Sequence, residues 1–138
     1  MSTIPGFSAP KYGLSRTLTG VSYTDAVARA RDALAGEGFG VLTEIDVKAT
    51  LKKKLDVDTR DYVILGACNP PLAHQALQAE TGIGLLLPCN VVVSTDEAGN
   101  AVVSAVDPVA MFTVVARPDI EPLAREVKAR LERVLEAL

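Results

Sequence analysis

The pattern that most constrains the fold is a long amphipathic stretch at the C-terminal end of the chain. Apolar residues recur there three or four positions apart, and charged residues fill most of the positions between them. The apolar positions are Ile120, Leu123, Ala124, Val127, Leu131, Val134, Leu135 and Leu138. A helix of this kind gains most of its stability from burying its apolar side. The chain must therefore supply an apolar surface, which we expect to be a β-sheet.

Three segments are typical of the strands of such a sheet. Residues 61–68, 85–94 and 101–106 are rich in Val, Leu and Ile, and the turn-forming residues 96–100 join the last two into a predicted hairpin. Residues 12–18 are a candidate for a further strand. These segments predict a sheet built at least partly from antiparallel neighbours.

Residues 39–47 alternate in polarity, as a half-buried strand does. The alternation predicts one core-facing set of side chains and one outward-facing set. The predicted core-facing set is Phe39, Val41, Thr43, Ile45 and Val47.

Three other segments are predicted to be helical, and a helix-start residue precedes two of them. Ser22 is a favourable N-cap for a helix ending before Gly36, Asn69 is a cap candidate for a helix over residues 70–80, and residues 48–55 predict a short helix. Residues 109–115 fit either a short helix or a loop. Helices and strands in this order are typical of the α+β class, with helices packed on a sheet.

The length of 138 residues fits a single domain, with 49% hydrophobic but only 4% aromatic residues. We expect a flexible N-terminal arm over residues 1–11 and one α+β domain over residues 12–138. The core must consist mainly of aliphatic side chains.

Charge and hydropathy exclude several function classes. A net charge of −3 provides no basic surface for phosphates, so we expect no nucleic-acid partner. The most apolar stretch, residues 83–93, is too short and too interrupted for a membrane helix. The N-terminal residues lack a signal-peptide pattern, and we expect a cytoplasmic protein without a membrane partner.

The candidate site lies in two short motifs that contain the only cysteines of the chain. Each cysteine is followed by an asparagine and has a proline close by, at a predicted strand end. The candidate ligand-binding residues are Cys68, Asn69, Pro70, Pro88, Cys89 and Asn90.

Two interpretations of the cysteines remain open. Thiolates bind soft metals and exchange disulfides, and a helix start favours a thiolate at Cys68, so Cys68 and Cys89 are candidates for a metal or redox pair. Alternatively, each cysteine is a small buried apolar side chain at a strand end. The two asparagines are either caps or ligand-orienting amides.

No other motif indicates catalysis. His74 falls on the side of its predicted helix opposite the apolar stripe, so we expect it to be exposed. The glycines do not form a dinucleotide-binding or phosphate-binding loop. Catalytic residues and a cofactor therefore stay unassigned.

Four segments together resemble one known family, the domain of unknown function 302. They are residues 37–51, 65–71, 86–93 and the pair Asp107 and Pro108. The resemblance implies a fold similar to the TATA-binding-protein-like class, with a curved antiparallel sheet covered by helices on one face, and it implies a homodimer. It implies no activity, and the motif positions carry no inherited role.

These observations favour a non-enzymatic dimer that binds a small molecule or a soft metal near the two Cys-Asn motifs. One alternative is a thiol-dependent redox protein or enzyme that uses Cys68 and Cys89. A further alternative is a purely structural or interaction dimer, in which both motifs serve only as turn chemistry.

Overall fold

Five antiparallel strands form one sheet in the computed structural model, which describes residues 3–138. The spatial order is β1-β5-β4-β3-β2, so the first two strands lie at opposite edges. The strands are β1 (Gly13–Leu18), β2 (Gly40–Asp46), β3 (Tyr62–Cys68), β4 (Cys89–Thr95) and β5 (Ala101–Val106). The predicted hairpin of the last two strands is confirmed, as is the candidate strand near residue 12.

Five α-helices and one 3₁₀ helix connect and follow these strands. The α-helices are α1 (Tyr23–Gly36), α2 (Val47–Leu55), α3 (Pro70–Ala79), α4 (Pro108–Phe112) and α5 (Glu121–Glu136), and the 3₁₀ helix is Thr81–Leu86. The ambiguous segment after residue 107 is therefore a short helix followed by turns.

The core lies between one face of the sheet and helices α1 and α5. Side chains that alternate along the strands meet the apolar stripes of both helices there. The central members of this cluster are Leu34, Leu65, Val91, Val93, Val103, Leu131 and Val134, each at most 1% exposed. The predicted α+β class, with an antiparallel sheet and helices on one side, is confirmed, and it is compatible with a TATA-binding-protein-like fold.

Side-chain caps begin α1 at Ser22 and α3 at Asn69, as predicted, and a further cap that was not predicted begins α4 at Asp107. The Ser22 hydroxyl accepts a hydrogen bond from the Asp25 amide at 3.0 Å. Asp107 accepts from the amides of Val109 and Ala110 and so caps α4. These local bonds satisfy amides that have no partner inside the helix, so they fix where each helix starts.

The predicted facing of residues 39–47 is wrong beyond Val41. The β2–β3 register shifts between Val41 and Thr43, where Leu42 is inserted as a bulge. A bulge reverses the alternation, so Val41 packs on the core while Thr43 and Ile45 lie on the open face of the sheet and are exposed. Polarity alternation alone does not reveal an inserted residue.

The predicted strand over residues 85–94 is too long at its start. Leu85 and Leu86 belong to the 3₁₀ helix, and β4 begins only at Cys89. Pro88, which follows a cis peptide bond, has no amide hydrogen to donate to a sheet ladder. The strand therefore starts after the proline, although the apolar run begins before it.

The N-terminal segment lies against the sheet. The Phe7 amide donates to the Thr95 carbonyl at 2.8 Å, and the Arg60 guanidinium donates to the Ile4 carbonyl at 3.1 Å. The division into an arm over residues 1–11 and a domain over residues 12–138 stays a prediction, and its first two residues lie outside the described part.

Within residues 3–138, every helix is too short or too polar to cross a bilayer.

Gly66 provides a test of packing on the open face. A Cβ at this position would overlap the Thr43 hydroxyl and would lie 2.8 Å from Cγ of Pro88. The hydroxyl can rotate away, but the proline ring cannot, so Gly66→Ala is expected to lower the free energy of unfolding by about 1–3 kcal/mol. Gly36→Ala is the matched control, because a Cβ there meets no atom within 4 Å. Equal denaturant midpoints for the two variants would contradict this account.

Candidate functional site

A cleft of about 300 Å³ lies where β3 ends and β4 begins. Helix α3 and the 3₁₀ helix contribute to its walls, and α4 and α5 close it from the helix side. Its apolar lining includes Phe39, Leu42, Leu72, Ala73, Ala76, Leu77, Leu87, Phe112, Leu123 and Val127. The cleft is therefore an apolar space at one end of the core.

Four of the six predicted site residues line this cleft: Cys68, Asn69, Pro88 and Cys89. Pro70 and Asn90 do not. Pro70 is exposed in the first turn of α3. Neighbouring residues of a strand point to opposite faces, so Asn90 lies on the open face while Cys89 lies towards the helices. The two Cys-Asn motifs thus converge only in part.

Asn69 serves the fold. Its side-chain oxygen accepts a hydrogen bond from the Leu72 amide at 3.3 Å, and its side-chain nitrogen donates to the Glu37 carbonyl at 3.5 Å. The first bond caps α3, and the second ties that cap to the segment before β2. The cap interpretation of this residue is thereby supported, and each of its polar side-chain atoms already makes one hydrogen bond within the fold.

The two cysteines are free thiols that differ in environment. Cys89 pairs with Ala67 across the ladder, and Cys68 is the next residue along β3 after that partner. Burial raises the pKa of the Cys89 thiol to about 11, and proximity to Cys68 contributes further. Cys89 is therefore a neutral thiol near pH 7, and it must lose its proton before it can act as a nucleophile or bind a soft metal.

Metal ligands are sparse around these thiols. In the part of the chain that the structure describes, residues 3–138, no three His, Cys, Asp or Glu side chains form a group that could hold a metal ion. His74 is exposed on α3, as predicted, and does not line the cleft. Within residues 3–138, the two cysteines are the only residues of these four types that line the cleft.

Residues 14–138 match the family model for the domain of unknown function 302, and this match decides the family of the chain. The chain belongs to this family. No curated protein matches the chain. The chain is similar to the crystal structure of the uncharacterized conserved protein DUF302 from Bacillus stearothermophilus, with 26% sequence identity and a TM-score of 0.85. The alignment covers 93% of this chain and 98% of that chain.

Sequence reasoning missed most of the lining of the cleft in this DUF302 chain. The residues on α3 were detectable, because Leu72, Ala73, Ala76 and Leu77 form the apolar stripe of that helix. Leu123 and Val127 belong to the predicted apolar stripe of α5, but that stripe does not indicate that they reach this cleft. Their place beside the cleft depends on how α5 docks on the sheet, which local patterns do not specify.

The raised pKa of Cys89 predicts a specific dependence of stability on pH. An unfolded thiol loses its proton near pH 9, whereas the folded thiol keeps it until about pH 11. The stabilisation is therefore fully present below pH 9 and is lost as the pH rises to 11, by roughly 2 kcal/mol. The free energy of unfolding of wild type minus that of Cys89→Ala should fall by this amount across the window. A constant difference would contradict the pKa shift.

Proposed function

We propose that this DUF302 chain is a non-enzymatic protein that binds a small apolar molecule in the cleft between the β3 and β4 strand ends and helices α3 and α5. One observation carries the proposal: an open cleft at the end of the core is lined almost entirely by apolar side chains. Large empty apolar spaces are uncommon in close-packed proteins, since they forfeit contacts that a filled core would make.

The size of the cleft suits a small ligand. Ligand pockets commonly measure about 300–1,000 Å³. At about 300 Å³, the cleft lies at the lower end of that range. A compact hydrocarbon or aromatic group fits this space better than an extended polar molecule does.

The polar groups of the cleft also favour an apolar ligand. Asn69 is occupied by the α3 cap, and Cys89 is a buried neutral thiol. Cys68, which is half-buried, is the remaining side chain that could contact a polar atom of the ligand. An anionic or strongly hydrogen-bonding ligand would lose its hydration here without finding new partners.

Exposed leucines mark the entrance. Leu42 is 68% exposed and Leu77 is 39% exposed, and both line the cleft. A bound apolar group would remove part of this surface from water, which is favourable by about 25 cal/mol per Å². The bulge interrupts the strand alternation at Leu42 and so contributes an exposed apolar side chain to the entrance.

Three other proposals do not involve an apolar ligand. The first is a soft metal held by Cys68 and Cys89, the second is a thiol-dependent redox role for the same pair, and the third is a homodimer. The raised pKa of the Cys89 thiol makes the first two less favoured, because the thiolate is the form that binds a soft metal and attacks a disulfide. A dimer that covered the exposed leucines at the entrance would be compatible with ligand binding.

Binding of N-phenyl-1-naphthylamine, a neutral probe that fluoresces in apolar surroundings, tests the proposal. Ala73 lines the cleft, and Ala28 is exposed on α1 outside it. We expect Ala73→Phe to weaken probe binding by at least about tenfold, a loss of about 1.4 kcal/mol, because the ring fills the cleft. Ala28→Phe, which adds the same ring elsewhere, should leave the affinity unchanged. Probe binding that both variants retain equally would refute the proposed site.

Native mass spectrometry with elemental analysis separates the apolar ligand from a soft metal. We expect any copurified organic mass to persist in the Cys68→Ser/Cys89→Ser variant, because apolar contacts dominate the cleft. Stoichiometric metal in wild type that disappears in this variant would instead establish the cysteine-based metal site. The same spectra report whether the chain is a monomer or a dimer.

A further inference from the structure

A second cavity lies on the other face of the sheet, beneath the N-terminal segment. It measures about 240 Å³, and its floor is formed by open-face residues of β3, β4 and β5. The chain has only six aromatic residues, three Phe and three Tyr. Three of the six line this one cavity: Phe7, Tyr12 and Tyr62. Aromatic side chains are thus concentrated where the open face meets the N-terminal segment.

The three aromatic residues come from separate parts of the chain. Phe7 belongs to the N-terminal segment, Tyr12 directly precedes β1, and Tyr62 begins β3. The segment is tied down at the phenylalanine and at the residue before it, because the Gly6 amide donates to the Glu97 carboxylate at 2.5 Å and the Phe7 amide donates to the Thr95 carbonyl. The aromatic wall is therefore held in place by tertiary contacts.

The polar character of this cavity differs from that of the cleft. Asn90 is exposed at its edge, and the Ser104 hydroxyl shares a hydrogen bond of 2.6 Å with the Ser15 hydroxyl. No charged side chain of residues 3–138 lines the cavity. It therefore offers an anion no positive partner, and it offers a primary ammonium no carboxylate.

We propose that this aromatic cavity, formed by Phe7, Tyr12 and Tyr62 on the open face of the sheet, binds a quaternary ammonium group. Such a cation is attracted to the electron-rich faces of aromatic rings and needs no hydrogen-bond acceptor. A trimethylammonium head is compact enough for the cavity, and the exposure of Tyr12, at 68%, leaves room for the rest of a ligand to extend into solvent. The net charge of −3 adds a weak general attraction for cations.

The protonation of Tyr62 is consistent with this assignment. Burial raises the pKa of Tyr62 above its usual value, and proximity to Tyr12 contributes further. The Tyr62 phenol therefore stays protonated across the neutral range. Its contribution to cation binding near pH 7 comes from the ring face and from a neutral hydroxyl, so the binding should not change between pH 6 and pH 8.

The test compares choline with 3,3-dimethyl-1-butanol, a neutral molecule of the same shape. Both are titrated into the full chain labelled with ¹⁵N, in about 150 mM NaCl to screen nonspecific attraction. We expect choline to shift the signals of Asn90 and of strand residues beneath the cavity, with at least fivefold higher affinity than the neutral isostere, a ratio that corresponds to about 1 kcal/mol. Equal or tighter binding of the isostere would overturn the proposal, since the cavity would then be merely apolar.

Two substitutions at one exposed position separate the ring from the hydroxyl. Tyr12→Leu should weaken choline binding about fivefold, whereas Tyr12→Phe, which keeps the ring, should retain it. Thermal unfolding of both variants confirms that each is folded. No choline binding to wild type, or choline binding that Tyr12→Leu leaves unchanged, would also overturn the assignment. The result does not depend on the cleft ligand, because the two cavities lie at different faces of the sheet and share no lining residue.

Discussion

The burial of one sheet face beneath α1 and α5 is the interaction on which the rest of this structure depends. The buried cluster is almost wholly aliphatic and small, with residues such as Leu65, Val93 and Val103 packed against Leu34 and Leu131. Small aliphatic side chains allow helices to lie close on a sheet at high density. Because both helices pack on the same face, they leave the opposite face of the sheet open. The N-terminal segment covers part of that open face.

The one-sided coverage determines where cavities occur. At one end of the sheet, β3 passes directly into α3, and β4 begins only after Pro88, so the strand ends leave a space that the helices cover incompletely. On the open face, the N-terminal segment covers only part of the strands. The two cavities are therefore consequences of the same layer arrangement, and they differ in chemistry because one borders the aliphatic core and the other borders the aromatic residues of the segment.

Both cysteines line the cleft, and Cys89 also belongs to the packed core. Cys89, Val91 and Val93 lie at every second position of β4 and share its core face. Its raised pKa is what burial among apolar side chains produces in a thiol. Cys68, at the end of β3 and half-buried beside the α3 cap, is the more accessible thiol in the cleft.

Local chemistry made much of the fold predictable from the sequence. Caps at Ser22 and Asn69, the periodicity of α5 and the turn between β4 and β5 each depend on residues a few positions apart, so their structures follow from local hydrogen bonds and side-chain periodicity. Four of the predicted site residues lie together for the same reason: both motifs stand at strand ends, and the ends of neighbouring strands meet. The family resemblance was confirmed by the match over residues 14–138.

Tertiary structure alone decided the rest. The bulge at Leu42 depends on pairing with β3 and reversed the predicted facing of Thr43 and Ile45. The docking of α5 brought Leu123 and Val127 to the cleft, and the folding back of the N-terminal segment brought Phe7 to Tyr62, more than fifty positions away. The sequence by itself determined most of the elements and their α+β class, because those depend on local periodicity and hydrogen bonding. Which side chains share a cavity was decided only by long-range packing, since that choice depends on register and docking between segments far apart in the chain.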